Sequence, residues 1–296
     1  MQLILKPGDI IIRGDYMKER CVEFIRRVIS DYHYDGCLIG ISGGIDSAVV
    51  AALCVEAVGR EKVFGLLLPE RDSAANTVSD AILVCDSLGI NYKIKSIRKT
   101  VRSIGGYALK PPTLLIPRKI QEKYVQDKWK ELETTDAYID DLEARGNREF
   151  RDGLAFYRVK HRIRMCALYL EAEQRNFAVV GTTNRTEMDT GFYVKWGDDS
   201  VDIEPIMHLY KTEVFELARQ MHVPDKIIAK PPSPDLIPGI TDEFAMKISY
   251  ADLDRILRKI NENQSLEDEP EKEVQRVRTI IEAARGRIIK NLNMME

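Results

Sequence analysis

The chain has 296 residues, of which 44% are hydrophobic and 31% charged, and its formal net charge at neutral pH is −3. That length supports a full core without disulfide staples, in one large α/β domain or two small ones, while the slight acidity argues against binding through a broad basic surface and leaves room only for a local basic pocket. No apolar run approaches the length that crosses a bilayer, and Met1-Gln2-Leu3-Ile4-Leu5-Lys6-Pro7 is too soon broken for a signal peptide, so a cytoplasmic protein without membrane or nucleic-acid partners is expected.

Apolar residues at Cys21, Ile25, Val28 and Tyr32 line one face of a helix predicted over 13–32. The run 37–41, bounded by Gly36 and Ser42-Gly43-Gly44, has the pattern of a buried strand. From Ser47 to Val58 nearly every residue is Ala, Val or Leu, which fits a buried helix, and a second buried strand is expected over 63–68. A helix over 76–88 closing on Gly89 and an alternating strand over 91–97 follow. Strand, helix, strand, helix, strand at this spacing implies parallel pairing with crossover helices, hence a doubly wound α/β sheet.

The pattern breaks over 105–153, which holds Pro111, Pro112 and Pro117, a charged helix expected near 118–133, and a polar stretch rich in Asp, Glu and Arg. This stretch is expected to be an inserted lid or an oligomer contact. A long helix over 159–175 and a buried strand over 177–181 resume the alternation. Residues 182–202 lack core periodicity, 210–221 is helical by pattern, Lys230-Pro231-Pro232-Ser233-Pro234-Asp235 is a rigid extended loop, and the charged tail over 249–296 is expected to be a helical extension. Cys21, Cys37, Cys54, Cys85 and Cys166 show no C-x-x-C spacing, so neither a zinc site nor a redox pair is indicated; nor do His33, His161, His208 and His222 have metal-ligand spacing.

The strongest chemical signal is Ser42-Gly43-Gly44-Ile45-Asp46-Ser47, set between a buried strand and a buried helix. There, successive backbone N–H groups and the helix dipole converge on a point that favours an anion, and the glycines permit close approach of phosphate oxygens. Ser42 and Ser47 add hydroxyl donors, and Asp46 offers a hard oxygen ligand for magnesium. The competing interpretation is an ordinary glycine-rich turn in which Ser47 or Asp46 merely caps the helix. The complete string in a strand–loop–helix setting favours phosphate binding, while the G-x-x-x-x-G-K-[ST] and G-x-G-x-x-G patterns are both absent.

This loop resembles the diphosphate-gripping SGGxDS signature of the N-type ATP pyrophosphatases, whose adenine nucleotide alpha hydrolase-like fold is a doubly wound, mostly parallel sheet. A second series narrows the resemblance: Val159-Lys160-His161-Arg162-Ile163-Arg164-Met165, Val180-Gly181-Thr182-Thr183-Asn184-Arg185-Thr186-Glu187, Thr190-Gly191-Phe192-Tyr193-Val194-Lys195-Trp196-Gly197-Asp198, Val201-Asp202-Ile203-Glu204-Pro205-Ile206, Leu209-Tyr210-Lys211-Thr212 and Lys230-Pro231-Pro232-Ser233-Pro234-Asp235-Leu236. In this order they resemble the NAD synthetases, over 36–257 apart from the 105–153 stretch.

The resemblance implies that ATP and magnesium are used to adenylate the nicotinate carboxylate of deamido-NAD, that ammonia displaces AMP, and that diphosphate leaves into the Ser42–Ser47 cradle. It assigns ATP contacts to Gly40, Ile41, Ser42, Gly43, Gly44, Ile45, Asp46, Ser47, Thr182, Lys211 and Ser233, with Asp46 and Lys211 as the catalytic pair. Magnesium falls to Asp46 and Glu187, and deamido-NAD contacts to Arg162, Lys195 and Asp202. A homodimer is implied as well. Because only about 35 residues precede the first strand, no glutamine amidase domain is expected there, and free ammonia or a separate donor protein is implied instead.

Three departures touch the substrate side. Ala283-Ala284-Arg285-Gly286-Arg287-Ile288-Ile289-Lys290 lacks the histidine of the family's C-terminal His-Lys pair, Tyr157-Arg158 replaces Gly-Asn, and the 105–153 stretch is long. They leave, as alternatives, a related amide ligase acting on another carboxylate and a catalytically silent nucleotide-binding relative.

Overall fold

The computed structural model describes residues 13–74, 76–109, 136–233 and 241–288. Its centre is a 4-stranded sheet in the order β3-β2-β1-β4, made of β1 (Gly36–Gly40), β2 (Val63–Leu67), β3 (Asn91–Ile94) and β4 (Phe177–Val180). Every pairing is parallel, with Leu38 opposite Phe64 on one side of β1 and opposite Val179 on the other. The chain steps outward from β1 to β2 to β3, then crosses back to add β4 beside β1. That reversal opens a crevice beyond the carboxyl ends of β1 and β4, where ligands bind in doubly wound folds.

Helices cover both faces, so β1 is apolar on both. Cys37 and Ile39 join one core with α1 (Arg13–Asp31), α2 (Ile45–Val58), α3 (Thr77–Leu88) and α8 (Lys211–Gln220). Leu38 and Val179 point the other way, into a core with Val101 of α4 (Arg98–Ser103) and Ala167 and Ala172 of α6 (Arg148–Glu173). The doubly wound parallel sheet expected from the sequence is therefore present.

Several boundaries differ from the pattern. The third strand ends at Ile94, not 97, and all of β3 is exposed; Ile97 turns inward as the residue before α4 and is buried. The long helix starts at Arg148 rather than near 159, because Asn147 Oδ1 accepts the N–H of Phe150 at 2.9 Å and caps it. Its first turns carry mostly charged residues, which hid them from an apolar-period reading. The polar stretch ending the 105–153 segment also contributes to the core: α5 (Ala137–Leu142) buries Tyr138, Ile139 and Leu142. The charged helix expected near 118–133 lies outside the described residues.

The C-terminal region is a second core. Met246 of α10 (Asp242–Met246), Leu253, Ile256 and Leu257 of α11 (Tyr250–Asn261), and Val277 and Ile280 of α12 (Glu271–Ile288) pack with α5 and with Tyr210, the residue before α8. Arg276 of α12 pairs with Asp136, the N-cap of α5. Among the described residues are two further short helices the pattern did not suggest, α7 (Arg185–Thr190) and α9 (Asp225–Ile228).

Leu253 is 0% exposed whereas Leu170 on α6 is 51% exposed. Leu253→Ala is expected to cost about 2–5 kcal/mol and Leu170→Ala within about 0.5 kcal/mol, measured as the shift in urea midpoint at constant m-value.

Candidate active site

Ser42, Gly43 and Gly44 link the end of β1 to the start of α2. Gly43 has φ +72, and a Cβ there would lie 2.8 Å from Asp80 Cβ and 2.9 Å from the backbone N of Ala81, so both its backbone angle and its close packing on α3 require glycine. Gly44 is the N-cap of α2 in an extended conformation, and no side chain caps that helix; the alternative in which Ser47 or Asp46 is simply a cap does not hold. Instead the two serines close the loop internally: Ser42 Oγ and Ser47 Oγ are 3.1 Å apart, Ser42 N–H donates to Ser47 Oγ at 3.3 Å, and Gly44 N–H donates to Ser42 Oγ at 3.2 Å. Hydroxyl groups can rotate toward an incoming oxygen, so the concavity remains suited to an anion. Gly40, Ile41 and Ile45 contribute backbone and packing, Ile41 N–H bonding to Leu66 O at 3.1 Å and Ile45 being buried.

Asp46, one residue into α2, meets Lys211 at the start of α8: Lys211 Nζ lies 2.6 Å from Asp46 Oδ2 and 3.7 Å from Glu187 Oε1. The sequence-predicted Asp46, Glu187 and Lys211 are thus brought together at the carboxyl edge of the sheet. Lys211 is 1% exposed. Burial works against its charge, but the Asp46, Glu187 and Asp242 carboxylates outweigh that, and its pKa is raised. Glu187 is raised well above the usual carboxylate range, first by burial and then by the Asp46 charge. Two carboxylates facing one ammonium in a dry site are short of positive charge.

Several residues the sequence reading passed over hold this centre. Asn184 donates to Asp46 Oδ1 at 3.0 Å, caps α7, and forms a capping box with Glu187; the string Asn-Arg-Thr-Glu carries that signature. Asp254 accepts from the Thr186 hydroxyl at 2.5 Å and from Thr212 N–H at 2.8 Å, while Lys211 N–H donates to Thr186 Oγ1 at 2.9 Å, so α11 fixes the first turn of α8. Asp242 takes the Tyr250 hydroxyl at 2.8 Å, and burial pushes its pKa to about 6. No local pattern marks these two aspartates, which come from the second core. Lys160, fully buried on α6, is 2.8 Å from both Glu70 and Asp72 and ties α6 to the loop after β2.

The expected substrate contacts gather elsewhere. Arg162 on α6 is exposed and donates to the backbone carbonyl of Lys195 at 3.3 and 3.1 Å, and Lys195 Nζ sits 5.2 Å from the Trp196 ring centroid. Asp202 accepts from the Tyr169 hydroxyl at 3.0 Å and from Val179 N–H at 2.7 Å, along the outer edge of β4. Thr182 lies just past β4, after Gly181, and Ser233 is exposed at the end of the 230–233 segment. In the 283–290 stretch, which has no histidine, Arg287 of α12 reaches inward: Nη1 donates to Gly191 O and Tyr193 O, each at 2.8 Å, and Nη2 to Asp141 O at 2.9 Å. The aperiodic 182–202 segment is held by this guanidinium and by His161, whose Nδ1 lies 3.3 Å from Asp198.

The family described as NAD synthase matches the chain over residues 17–126 and 119–291. The chain belongs to the NAD synthase family. It is 57% identical over 266 residues to the NH(3)-dependent NAD(+) synthetase of Thermotoga neapolitana, with 90% of this chain and 91% of that protein covered. In fold it is similar to the NMN synthetase of Francisella tularensis (TM-score 0.71, 24% identity, covering 96% of this chain and 100% of that one). The same holds for the NH3-dependent NAD synthetase of Campylobacter jejuni (TM-score 0.67, 23% identity, covering 95% of this chain and 100% of that one). This NAD synthase family member is accordingly a ligase, and the charge cluster at the sheet's carboxyl edge is where its chemistry is sought.

Glu204 lies beside that edge. Its carboxyl fills the space a Gly181 Cβ would occupy, 2.4 Å from that position; Oε2 accepts Thr183 N–H at 3.1 Å and Oε1 is buried with no hydrogen-bond partner. Burial raises its pKa to about 8. Between the ordinary glutamate range and that value the folded chain holds a proton here that the unfolded chain has lost, so this group's contribution to stability falls as pH rises. Glu204→Gln removes that slope: its melting temperature should gain on that of the unaltered chain from about pH 5 to about pH 8, measured by calorimetry at matched ionic strength.

Proposed function

We propose that the chain makes NAD by amidating deamido-NAD with ammonia, using ATP and releasing AMP and diphosphate. The observation that carries this is the buried Lys211 ammonium between Asp46 and Glu187, Asp46 belonging to the loop we propose to receive phosphate oxygens. In the first step a carboxylate oxygen of the nicotinate attacks the α-phosphorus of ATP, and the bond to the bridging oxygen of the diphosphate breaks. The amides of the Ser42–Gly44 loop and the dipole of α2 receive the leaving diphosphate. Lys211 neutralises phosphate charge from a position pre-set by the Thr186 and Asp254 contacts, so little reorganisation is needed when the charge moves. Ammonia then adds to the acyl carbon, AMP departs with the electron pair of the broken C–O bond, and the nitrogen releases a proton to solvent. Catalysis here is positioning and charge neutralisation, and no side chain becomes covalently attached.

Asp46 and Glu187 fit a magnesium ion. They are hard oxygen donors already turned toward a cation, the Lys211 ammonium, and Glu187, whose pKa is raised first by burial and then by the Asp46 charge, has a repulsion from Asp46 that a divalent ion would relieve. Among the described residues no group of three or more His, Cys, Asp or Glu gathers to hold a metal, and magnesium suits a pair of carboxylates completed by phosphate oxygens and water. When bound it would offset phosphate charge.

Thr182 and Ser233 are proposed to contact ATP, and Arg162, Lys195 and Asp202 to contact deamido-NAD, whose diphosphate attracts cations and whose hydroxyls attract a carboxylate. These last three lie along α6 rather than around Lys211, which suits a long dinucleotide stretched away from the phosphate loop. The segment 182–202 is proposed as a cover that excludes water from the adenylate, and a homodimer supplied by free ammonia or a separate donor as the working form; most of the lid or oligomer contact expected over 105–153 lies outside the described residues. No helix among the described residues is long and apolar enough to cross a membrane, in keeping with a cytoplasmic site of action.

Incubation with ATP, magnesium, ammonium and deamido-NAD is expected to yield NAD and AMP in equal amounts by chromatography. AMP formed only with a different acid would transfer the activity to another carboxylate, and absence of both products would leave a silent nucleotide binder. Asp46→Ala should lower kcat by about 10²–10³; full turnover in that variant would refute the mechanism.

A further inference from the structure

Behind the phosphate loop stands a charged strut with no place in the mechanism so far. Asp80, in α3, is 1% exposed. Its Oδ1 lies 2.6 Å from Lys226 Nζ, and its Oδ2 accepts from Lys230 Nζ and from Asn76 Nδ2, each at 3.0 Å. Lys226 and Lys230 reach it together because they lie one helical turn apart around α9, with Lys230 N–H still bonded to Ile227 O at 3.3 Å. These cations outweigh the burial of the Asp80 carboxyl and hold its pKa below the usual range. Lys230 Nζ also donates to the backbone carbonyl of Gly43 at 3.3 Å. That bond reaches the diphosphate loop from the α3 side, where Asp80 Cβ, Ala81 N and Thr77 O occupy the space a Gly43 Cβ would need.

The carbonyl of Gly43 and the N–H of Gly44 belong to one planar trans peptide unit and point in opposite directions. Fixing the carbonyl toward Lys230 therefore turns the Gly44 N–H the opposite way, where it donates to Ser42 Oγ at 3.2 Å. Glycine on both sides of this unit leaves little intrinsic resistance to a peptide flip. A flipped unit would present a carbonyl oxygen to the diphosphate and repel it.

We propose that Lys230 is a positioning residue: through its bond to the Gly43 carbonyl it holds the Gly43–Gly44 peptide in the orientation that offers an N–H to diphosphate. The Asp80 carboxylate aims the Lys230 ammonium and Lys226 shares its charge, so Lys230 acts on the anion through the loop. Because Lys230 also begins the Pro231-Pro232-Ser233 segment, the same contact sets where that segment leaves the loop. This rests on the diphosphate role of Ser42–Ser47.

The test compares the unaltered chain with Lys230→Met and Lys230→Arg, measuring product inhibition by inorganic pyrophosphate, KM for ATP, KM for deamido-NAD, kcat and melting temperature. Asp80 keeps Lys226 in both variants, so neither leaves a buried carboxylate without a cation. Lys230→Met is expected to weaken pyrophosphate inhibition and raise KM for ATP by about tenfold, leaving KM for deamido-NAD and the melting temperature unchanged. Lys230→Arg, which keeps a donor, is expected to recover most of both losses. Unchanged pyrophosphate inhibition in Lys230→Met, with the unaltered chain inhibited normally, would overturn the proposal. So would parallel losses for both substrates with a lowered melting temperature, the mark of general damage. Failure of pyrophosphate to inhibit the unaltered chain would instead remove the diphosphate reading on which the proposal stands.

Discussion

An ammonium group taken out of water must be paid for by its neighbours, and Lys211 organises the carboxyl edge of the sheet around that requirement. Asp46 comes from α2, Glu187 from α7 and Asp242 from α10, and each lends negative charge to the same buried lysine. A buried ion pair adds little net stability over a well-packed apolar replacement, because desolvation cancels much of the attraction. What such a cluster does supply is a set of charges locked in place before substrate arrives. Electrostatic preorganisation of this kind is worth most where phosphate charge moves during reaction.

The centre is also a seam between two cores. One is the sheet with its covering helices; the other joins α5, α10, α11 and α12 with Tyr210. Lys211 follows Tyr210 directly, its own N–H is held by Thr186, and Asp254 of α11 links Thr186 to Thr212. Arg287 of α12 reaches across to the backbone of the 190–193 segment. The C-terminal helices thus form one wall of the site, and loosening them would displace charged groups at its centre. The chain's overall charge of −3 gives no hint of this; local cations and helix-end amides decide whether a polyphosphate is attracted.

The loop shows a similar division between front and back. Its front, with Ser42, Ser47 and the amides around Gly44, is the part proposed to receive an anion. Its back is pressed on α3 so closely that Gly43 admits no side chain, and there Asp80 and Lys230 meet it. A loop rich in glycine is floppy by composition, and packing from behind is what gives it a defined shape.

Much of this was legible in the residues alone. The apolar runs of β1, β2 and β4 had to be strands buried on both faces, because helices separate them at crossover spacing, and Ser42-Gly43-Gly44-Ile45-Asp46-Ser47 marked, through local backbone geometry, the loop proposed to receive an anion. Asn184 and Glu187 could have been paired by their capping spacing. What local pattern could not supply was partnership at long range. Asp46 and Lys211 are 165 residues apart, and Lys230 is 187 residues from the Gly43 carbonyl it holds. Asp254 and Arg287 looked like ordinary charged residues on amphipathic helices until the second core turned them inward. Periodicity records which face of a helix is buried, and capping and turn chemistry act over a few neighbouring residues; which charge ends beside which depends on how the helices pack, and only the tertiary structure decided that.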